Sequence, residues 1–255
     1  MRIIPLLFLF SSLLHADTLA DLKQRLASLN GATPVTAKVD YEFSNEEGDD
    51  LSVKTEGRAG ARVEDGAQGV TITWPRELIV RADEEARDPG GAGVKKPGAR
   101  RAVGAIGPMM VHDHLNAAAG LLQTLNQAEL LEEKRDTWEG QPATLLVMKV
   151  NPQLNAQARK YLKELTVTGR LWIGADGLPL AAEMQQYQKG RAYLVITFEA
   201  TDHQEFRYTT VGDRLVTLRH AKENQGSGAG QRSRSKDLTT VQLENPPPAI
   251  DGSRK

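Results

Sequence analysis

Apolar and polar side chains alternate residue by residue through most of this 255-residue chain, and no other feature restricts the fold as strongly. Over 35–43 every odd position is apolar and every even position is polar. Alternate side chains of an extended strand point to opposite faces, so the pattern predicts a strand with one buried face. The same reasoning predicts strands over 35–43, 51–58, 70–74, 129–138, 143–150, 164–174, 178–188, 192–202, 205–211, 214–224 and 237–244.

Short turn sequences join many of these strands, among them Glu139-Gly140, Lys189-Gly190 and Gly212-Asp213. Turns this short connect antiparallel neighbours. Apolar residues at helical spacing predict helices over 18–29, 109–125 and 153–163. The fold class predicted is mainly β (α+β), a long antiparallel curled sheet or unclosed β-barrel capped by two or three helices.

The first sixteen residues have the order of a secretory signal peptide. Arg2 precedes an apolar run over 3–14 that is too short to span a membrane, and the small residue Ala16 follows it. We therefore expect cleavage near Ala16 and a periplasmic, soluble protein. The chain has no cysteine, so we also expect that it is not itself lipidated. Residues 17–244 are interpreted as a single domain, and the proline-containing segment 245–255 as a disordered tail.

Two basic segments interrupt the neutral background of the chain. The stretch 86–108 is rich in glycine and proline, and it predicts a flexible insertion. A second basic segment follows the glycine-rich turn 226–230. These loops either keep the protein soluble or contact anionic lipid headgroups or an acidic envelope partner. The candidate contact residues are Lys95, Lys96, Arg100, Arg101, Arg232 and Arg234.

Several classes of function are excluded by what the chain lacks. Without cysteine there is no disulfide scaffold or thiolate metal site, and a formal net charge of −1 gives no reason to expect a nucleic-acid partner. His112 and His114 are two residues apart, so a helix points them in different directions and they do not share a metal. We therefore predict no catalytic residues, no metal and no cofactor, and a protein that is not an enzyme.

The order of elements resembles the LolA/LolB-type periplasmic lipoprotein-carrier superfamily. The resemblance rests on the signal peptide, the helix that contains 19–26, the alternating first strand, the long meander and the inserted helix. It implies an unclosed β-barrel whose apolar cavity holds acyl chains, and a role in outer-membrane lipoprotein sorting with an inner- or outer-membrane partner. It also implies an early-strand arginine that helps to close the cavity, in the region of Arg58 or Arg62.

One set of apolar strand residues either forms a packed core or lines a ligand cavity. Acyl chains need no polar motif, because each buried methylene contributes roughly 0.8 kcal/mol. The leading hypothesis is therefore a non-enzymatic carrier of a lipid or lipidated cargo. The alternatives are an envelope interaction or sensor module with a packed core, and a hydrolase of envelope material that uses His112 or His114. The candidate lining residues are Tyr41, Phe43, Trp74, Leu171, Ile173, Met184 and Val195.

Overall fold

The computed structural model of the protein describes residues 18–87, 98–192 and 196–244. The helices in these ranges are α1 (Thr18–Ser28), α2 (Arg76–Arg87), α3 (Gly98–Ala105), α4 (Pro108–Leu115), α5 (Ala117–Asn126) and α6 (Ala156–Tyr161). The strands are β1 (Val35–Gly48), β2 (Val53–Gly66), β3 (Gly69–Thr73), β4 (Ala128–Trp138), β5 (Gln141–Val150), β6 (Leu162–Ile173), β7 (Pro179–Ala192), β8 (Ile196–Val211), β9 (Arg214–Gly228) and β10 (Gln231–Leu243).

All of these strands belong to one antiparallel sheet, and the mainly β prediction is confirmed. The strand order is β3-β2-β1-β10-β9-β8-β7-β6-β5-β4, so β3 and β4 are the edges of an open sheet. The first strand pairs with the last, with Val39 opposite Val241. Strands β1–β3 therefore join strands β4–β10 at the β1–β10 pair, away from both edges.

One cross-strand row defines what we call the inner face of the sheet. The strand register places its members directly opposite one another from β5 to β2, and the helices pack on this face. The row is Leu146, Leu171, Ala182, Phe206, His220, Thr239, Tyr41 and Ala59.

Two buried clusters lie between the helices and the inner face. One joins α3 and α4 to β1, β2 and β10, and contains Ala102, Leu115, Val39 and Val63. The other joins α1 and α5 to β5, β6 and β9 around Leu125. A smaller cluster lies on the opposite face, where the Trp138 and Trp172 rings are 4.7 Å apart.

The structure differs from the sequence predictions at several elements. The predicted strands 192–202 and 205–211 are one strand, β8, because residues 202–205 stay paired with both neighbours. α2 was not predicted. The predicted helix 109–125 is two helices, with Asn116 between them at φ −138° and ψ 52°. Helix 153–163 is shorter, over Ala156–Tyr161.

The prediction of a loop throughout 86–108 is wrong for residues 86–87, which end α2, and for residues 98–105, which form α3. Ala99 and Ala102 are buried there, and Gly98 approaches the β2 backbone so closely that a Cβ would overlap the Glu56 carbonyl. Small side chains therefore let this segment pack, despite its unfavourable composition. Predictions for 1–16, for Lys95 and Lys96, for Val195 and for 245–255 lie outside the described residues.

The edge strand β4 carries a β-bulge. Its register against β5 shifts between Leu130 and Glu132, and Leu131 is left 58% exposed. The other edge strand, β3, is only five residues long.

Candidate functional site

A cavity of about 520 Å³ lies between α4 and α5 on one side and the inner face of β5–β9 on the other. Its apolar walls include Leu121 and Leu125 of α5 and Met148, Val150 and Leu171 of the sheet. The volume falls in the range of about 300–1,000 Å³ that is typical of small-molecule sites.

Small residues on facing elements explain why this space is not filled. Gly120 of α5 and Gly169 of β6 both line the cavity. A Cβ at Gly120 would meet nothing within 4 Å, and one at Gly169 would lie 3.9 Å from Met148 Cε. Gly169 is buried in the sheet face, so its missing side chain leaves part of this space open.

The inner face becomes polar beyond the histidines. A second cavity of about 410 Å³ shares His114 and His220 with the first. A third, of about 220 Å³, shares Gln204 with the first and Lys222 with the second. The three spaces therefore adjoin, from an apolar end under α5 to a polar end over β7–β10.

Two histidines mark the boundary between these ends. The rings of His114 and His220 are 5.7 Å apart, and His220 stacks on Phe206 at 4.3 Å. His114 Nδ1 donates to the Met110 carbonyl oxygen at 2.8 Å, since that oxygen can only accept. His114 Nε2 is buried without a partner among the described residues.

Both histidines are neutral at neutral pH. Burial lowers the pKa of His114 below its ordinary value, and burial together with the neighbouring His114 lowers the pKa of His220 to about 4. Burial also raises the pKa of Tyr208, another residue of the cavity wall. The boundary therefore supplies polar atoms but no charge.

Hydrogen bonds continue from His220 along the polar end. His220 Nε2 lies 3.1 Å from Gln204 Oε1, and Gln204 Nε2 donates to Asp202 Oδ1 at 2.6 Å. Lys222 Nζ forms an ion pair with Asp202 Oδ2 at 3.1 Å, and Asn224 Nδ2 donates to the same oxygen at 3.4 Å. We call these five residues the polar chain.

A buried network holds the break between α4 and α5 against the sheet. Arg214 and Asp65 form an ion pair at 2.7 Å with side chains that are 2% and 7% exposed. Asn116 donates to Asp65 at 2.9 Å and accepts from Arg214 at 2.8 Å, and Arg214 also donates to the Thr33 carbonyl. Asn116 thus satisfies both charged partners, and this explains the non-helical backbone there.

Asp213 fixes the neighbouring loop. Its carboxylate accepts hydrogen bonds from the Ala32 and Thr33 backbone N–H groups. Hydrogen bonds from Thr33 and from these N–H groups lower the pKa of Asp213 to about 2.

The predicted lining residues fall in different places. Leu171 and Met184 line the first cavity, and Tyr41 lines the second one and donates to Asp237. Ile173 is buried in the cluster under α1 and α5. Phe43 is buried in the hydrophobic cluster under α3 and α4, and Trp74 packs against that cluster.

The predicted basic contact residues are also separated. The Arg101 guanidinium lies 4.2 Å from the centroid of the Phe43 ring, and the Arg100 backbone N–H donates to Glu85. Arg232 and Arg234 are not in a loop as predicted, because their alternation with serine continues the β10 ladder. Arg234 pairs with Glu46 at 3.6 Å, so part of its charge is already neutralised.

The two early-strand arginines of the prediction, Arg58 and Arg62, are both exposed to solvent. Arg62 of β2 forms ion pairs with Glu64 and with Glu244, and its side chain is 49% exposed. Neither Arg62 nor Arg58 is among the residues that line the cavity. The buried arginine near α4 and α5 is instead Arg214, on a late strand.

Sequence reasoning missed Phe206, Tyr208 and Thr217 as cavity residues. The signal for the first two was the period-two spacing of Gln204, Phe206 and Tyr208, which places them on one face of a strand. Within the described ranges, no three histidine or acidic side chains are grouped as metal ligands. No helix in those ranges combines the length and the apolar composition needed to cross a membrane.

Searches against protein-family models, curated proteins and solved structures found no match to the chain. The LolA/LolB-type resemblance therefore stays a prediction.

Proposed function

We propose that this protein is a non-enzymatic carrier that holds an acyl chain or a similar apolar group in the cavity under α5. The observation that carries the proposal is the cavity of about 520 Å³ with leucine, methionine and valine walls. An apolar ligand in this space gains dispersion contacts with these walls and removes their apolar surface from water.

The energetics suit a ligand with a long aliphatic chain. About ten buried methylenes contribute about 8 kcal/mol. The lost freedom of the ligand offsets part of that gain, and the remainder corresponds to micromolar or weaker binding. A carrier must also release its cargo, so affinity in this range fits the role.

In this proposal the helices cap the sheet, and the sheet curls beneath them. Leu115 of α4 and Leu125 of α5 contact the inner face, and α5 forms one wall of the cavity. The signal-like segment 1–16 and the resemblance to LolA/LolB-type carriers support a periplasmic location and a role in lipoprotein sorting. Tight hydrophobic packing of α3 and α4 on β1 and β2 gives the cap a fixed base.

The proposal is tested by filling the cavity from within. Gly169→Leu places an isobutyl group in the space beside Met148 and Val150, where Gly169 leaves room. We expect the apolar dye N-phenylnaphthylamine to fluoresce on binding to the natural protein, and this substitution to weaken dye binding about tenfold or more.

Thr168→Leu is the matched control, since Thr168 is exposed and lies next to Gly169 on the opposite face of β6. It adds the same side chain outside the cavity, so dye binding should be unchanged. Equal dye binding by all three proteins would contradict the proposal, as would natural protein that binds no dye and carries no lipid in native mass spectrometry. That result would favour the interaction module.

A further inference from the structure

The polar chain is not needed to hold an apolar chain, yet it adjoins the apolar cavity. On the inner face, Met184, Gln204 and Lys222 lie directly opposite one another on β7, β8 and β9. The next row towards the polar end is Gln186, Asp202 and Asn224. Two neighbouring rows thus change the lining from an apolar side chain to amides and charges. A ligand that occupies both ends must itself be amphiphilic.

The charges at the polar end do not suit an anion. Lys222 is already paired with Asp202 at 3.1 Å, and the Asp202 side chain is only 12% exposed. Asp237, which also lines this end, adds a second carboxylate that accepts from Tyr41. The two boundary histidines are neutral because burial lowers the pKa of each. A carboxylate or phosphate placed here would face the Asp202 and Asp237 carboxylates, while two nearby cations are already engaged, Lys222 with Asp202 and Arg101 over the Phe43 ring.

Resting on the proposed function, we infer that the cargo is an amphiphile with an uncharged, hydroxyl- or amide-bearing head group. Its chain lies under α5, and its head hydrogen-bonds to the polar chain at Gln204, Lys222 and Asn224. Uncharged hydroxyl groups can donate to Asp202 and accept from amide N–H groups without leaving a carboxylate unpaired.

Two ligands with the same lauroyl chain test this assignment. 1-Lauroylglycerol has an uncharged head with two hydroxyl groups, and laurate has a carboxylate. Each displaces N-phenylnaphthylamine from the natural protein at about pH 8, where laurate is ionised and histidine is neutral. We expect 1-lauroylglycerol to bind at least about tenfold more tightly than laurate.

Asp202→Asn removes one negative charge with little change of shape. It leaves Lys222 without its partner, so laurate affinity should rise about tenfold while 1-lauroylglycerol affinity changes little. A misfolded variant cannot produce this gain. Glu199→Gln is the matched control, because Glu199 also lies on β8 and pairs with Lys189 at 3.9 Å but lines none of the three cavities.

The outcomes separate this inference from the proposed function. Dye binding that Gly169→Leu removes, together with equal affinity for the two lauroyl ligands, would overturn the head-group assignment and keep the carrier. An unchanged laurate affinity in Asp202→Asn would do the same. Absence of any dye or ligand binding would overturn both.

Discussion

The inner face of the sheet supports two interiors of different density. Where α3 and α4 pack on Val39 of β1 and Val63 of β2, side chains fill the space, and we call this cluster the filled half. Under α5, on β5–β9, the cavity remains, and we call this the hollow half. Leu115 of the filled half is fully buried, whereas Leu121 of the hollow half is only partly buried and lines the cavity. The same sheet therefore supports a packed cluster under α3 and α4 and an open cavity under α5.

The largest effect is expected at the Arg214–Asp65 pair, which lies between the halves. Arg214→Met leaves the Asp65 carboxylate buried without its charge partner, so the free energy of unfolding should fall by about 3–5 kcal/mol. Urea denaturation measures the loss. Arg170→Met, which removes the exposed pair with Glu183, is the control and should cost under about 1 kcal/mol. Similar losses in both variants would contradict the assignment of Arg214 as the connection between the halves.

Leucine truncation compares the halves directly. Leu115→Ala creates a new void in the filled half, and it should lower the free energy of unfolding by about 3 kcal/mol. Leu121→Ala enlarges an existing cavity and should cost about 1 kcal/mol. Urea denaturation of the two variants measures both losses of unfolding free energy. A larger loss for Leu121→Ala would mean that the hollow half is packed in solution.

Two glycines extend the comparison to the backbone. At Gly98 a Cβ would overlap the Glu56 carbonyl, so Gly98→Ala should destabilise the protein by about 2 kcal/mol. At Gly120 a Cβ meets nothing, and Gly120→Ala should stabilise α5 by about 0.5–1 kcal/mol. Opposite shifts of the thermal midpoint are the expected result, and shifts of the same sign would refute the contrast.

The last of these effects depends on pH. His220 titrates near 6.5 when unfolded and near 4 in the folded protein, so the unfolded state binds the proton first as the pH falls. Stability should therefore be full above about pH 7 and decrease by about 2 kcal/mol between 6.5 and 4. The groups that face His220 are His114, Lys222 and Asp202.

His220→Gln separates this contribution from the others. The variant should lose much less stability over the same interval, when denaturation is followed at several pH values. Asp213, with its pKa lowered to about 2 from 3.8, affects a separate and more acidic interval, in which stability falls as its carboxylate is protonated. An identical pH profile in the natural protein and the variant would contradict the role of His220.

The strands could be predicted from the sequence because their evidence is local. Alternation over 35–43 and the turn at Glu139-Gly140 both depend on neighbouring residues, and β1 and the β4–β5 hairpin occur where they predict. Leu171 and Met184 were named as lining residues on the same grounds. Their contact with the cavity follows from alternation together with the register that places Leu171 opposite Ala182.

The helix break at Asn116 and the orientation of His220 could not be predicted, because both depend on residues far away in the sequence. The helical spacing of leucines continues through Asn116, but the side chain there bonds to Asp65 and Arg214, which are 51 and 98 residues away. His220 faces the cavity because a register shift beside Tyr208 pairs it with Phe206. Direct extension of the Gly212-Asp213 turn would instead pair Phe206 with Arg219.

The bulge in β4 affects whether two copies of the protein can join their sheets edge to edge. An open sheet presents unpaired backbone groups at its edges, and another molecule can add a strand there. β4 opposes this addition with a shifted register at Leu130 and with the charged run from Glu132 to Arg135, while β3 offers only five residues. The protein can therefore keep its sheet open around the cavity and still resist edge-to-edge polymerisation in concentrated solution.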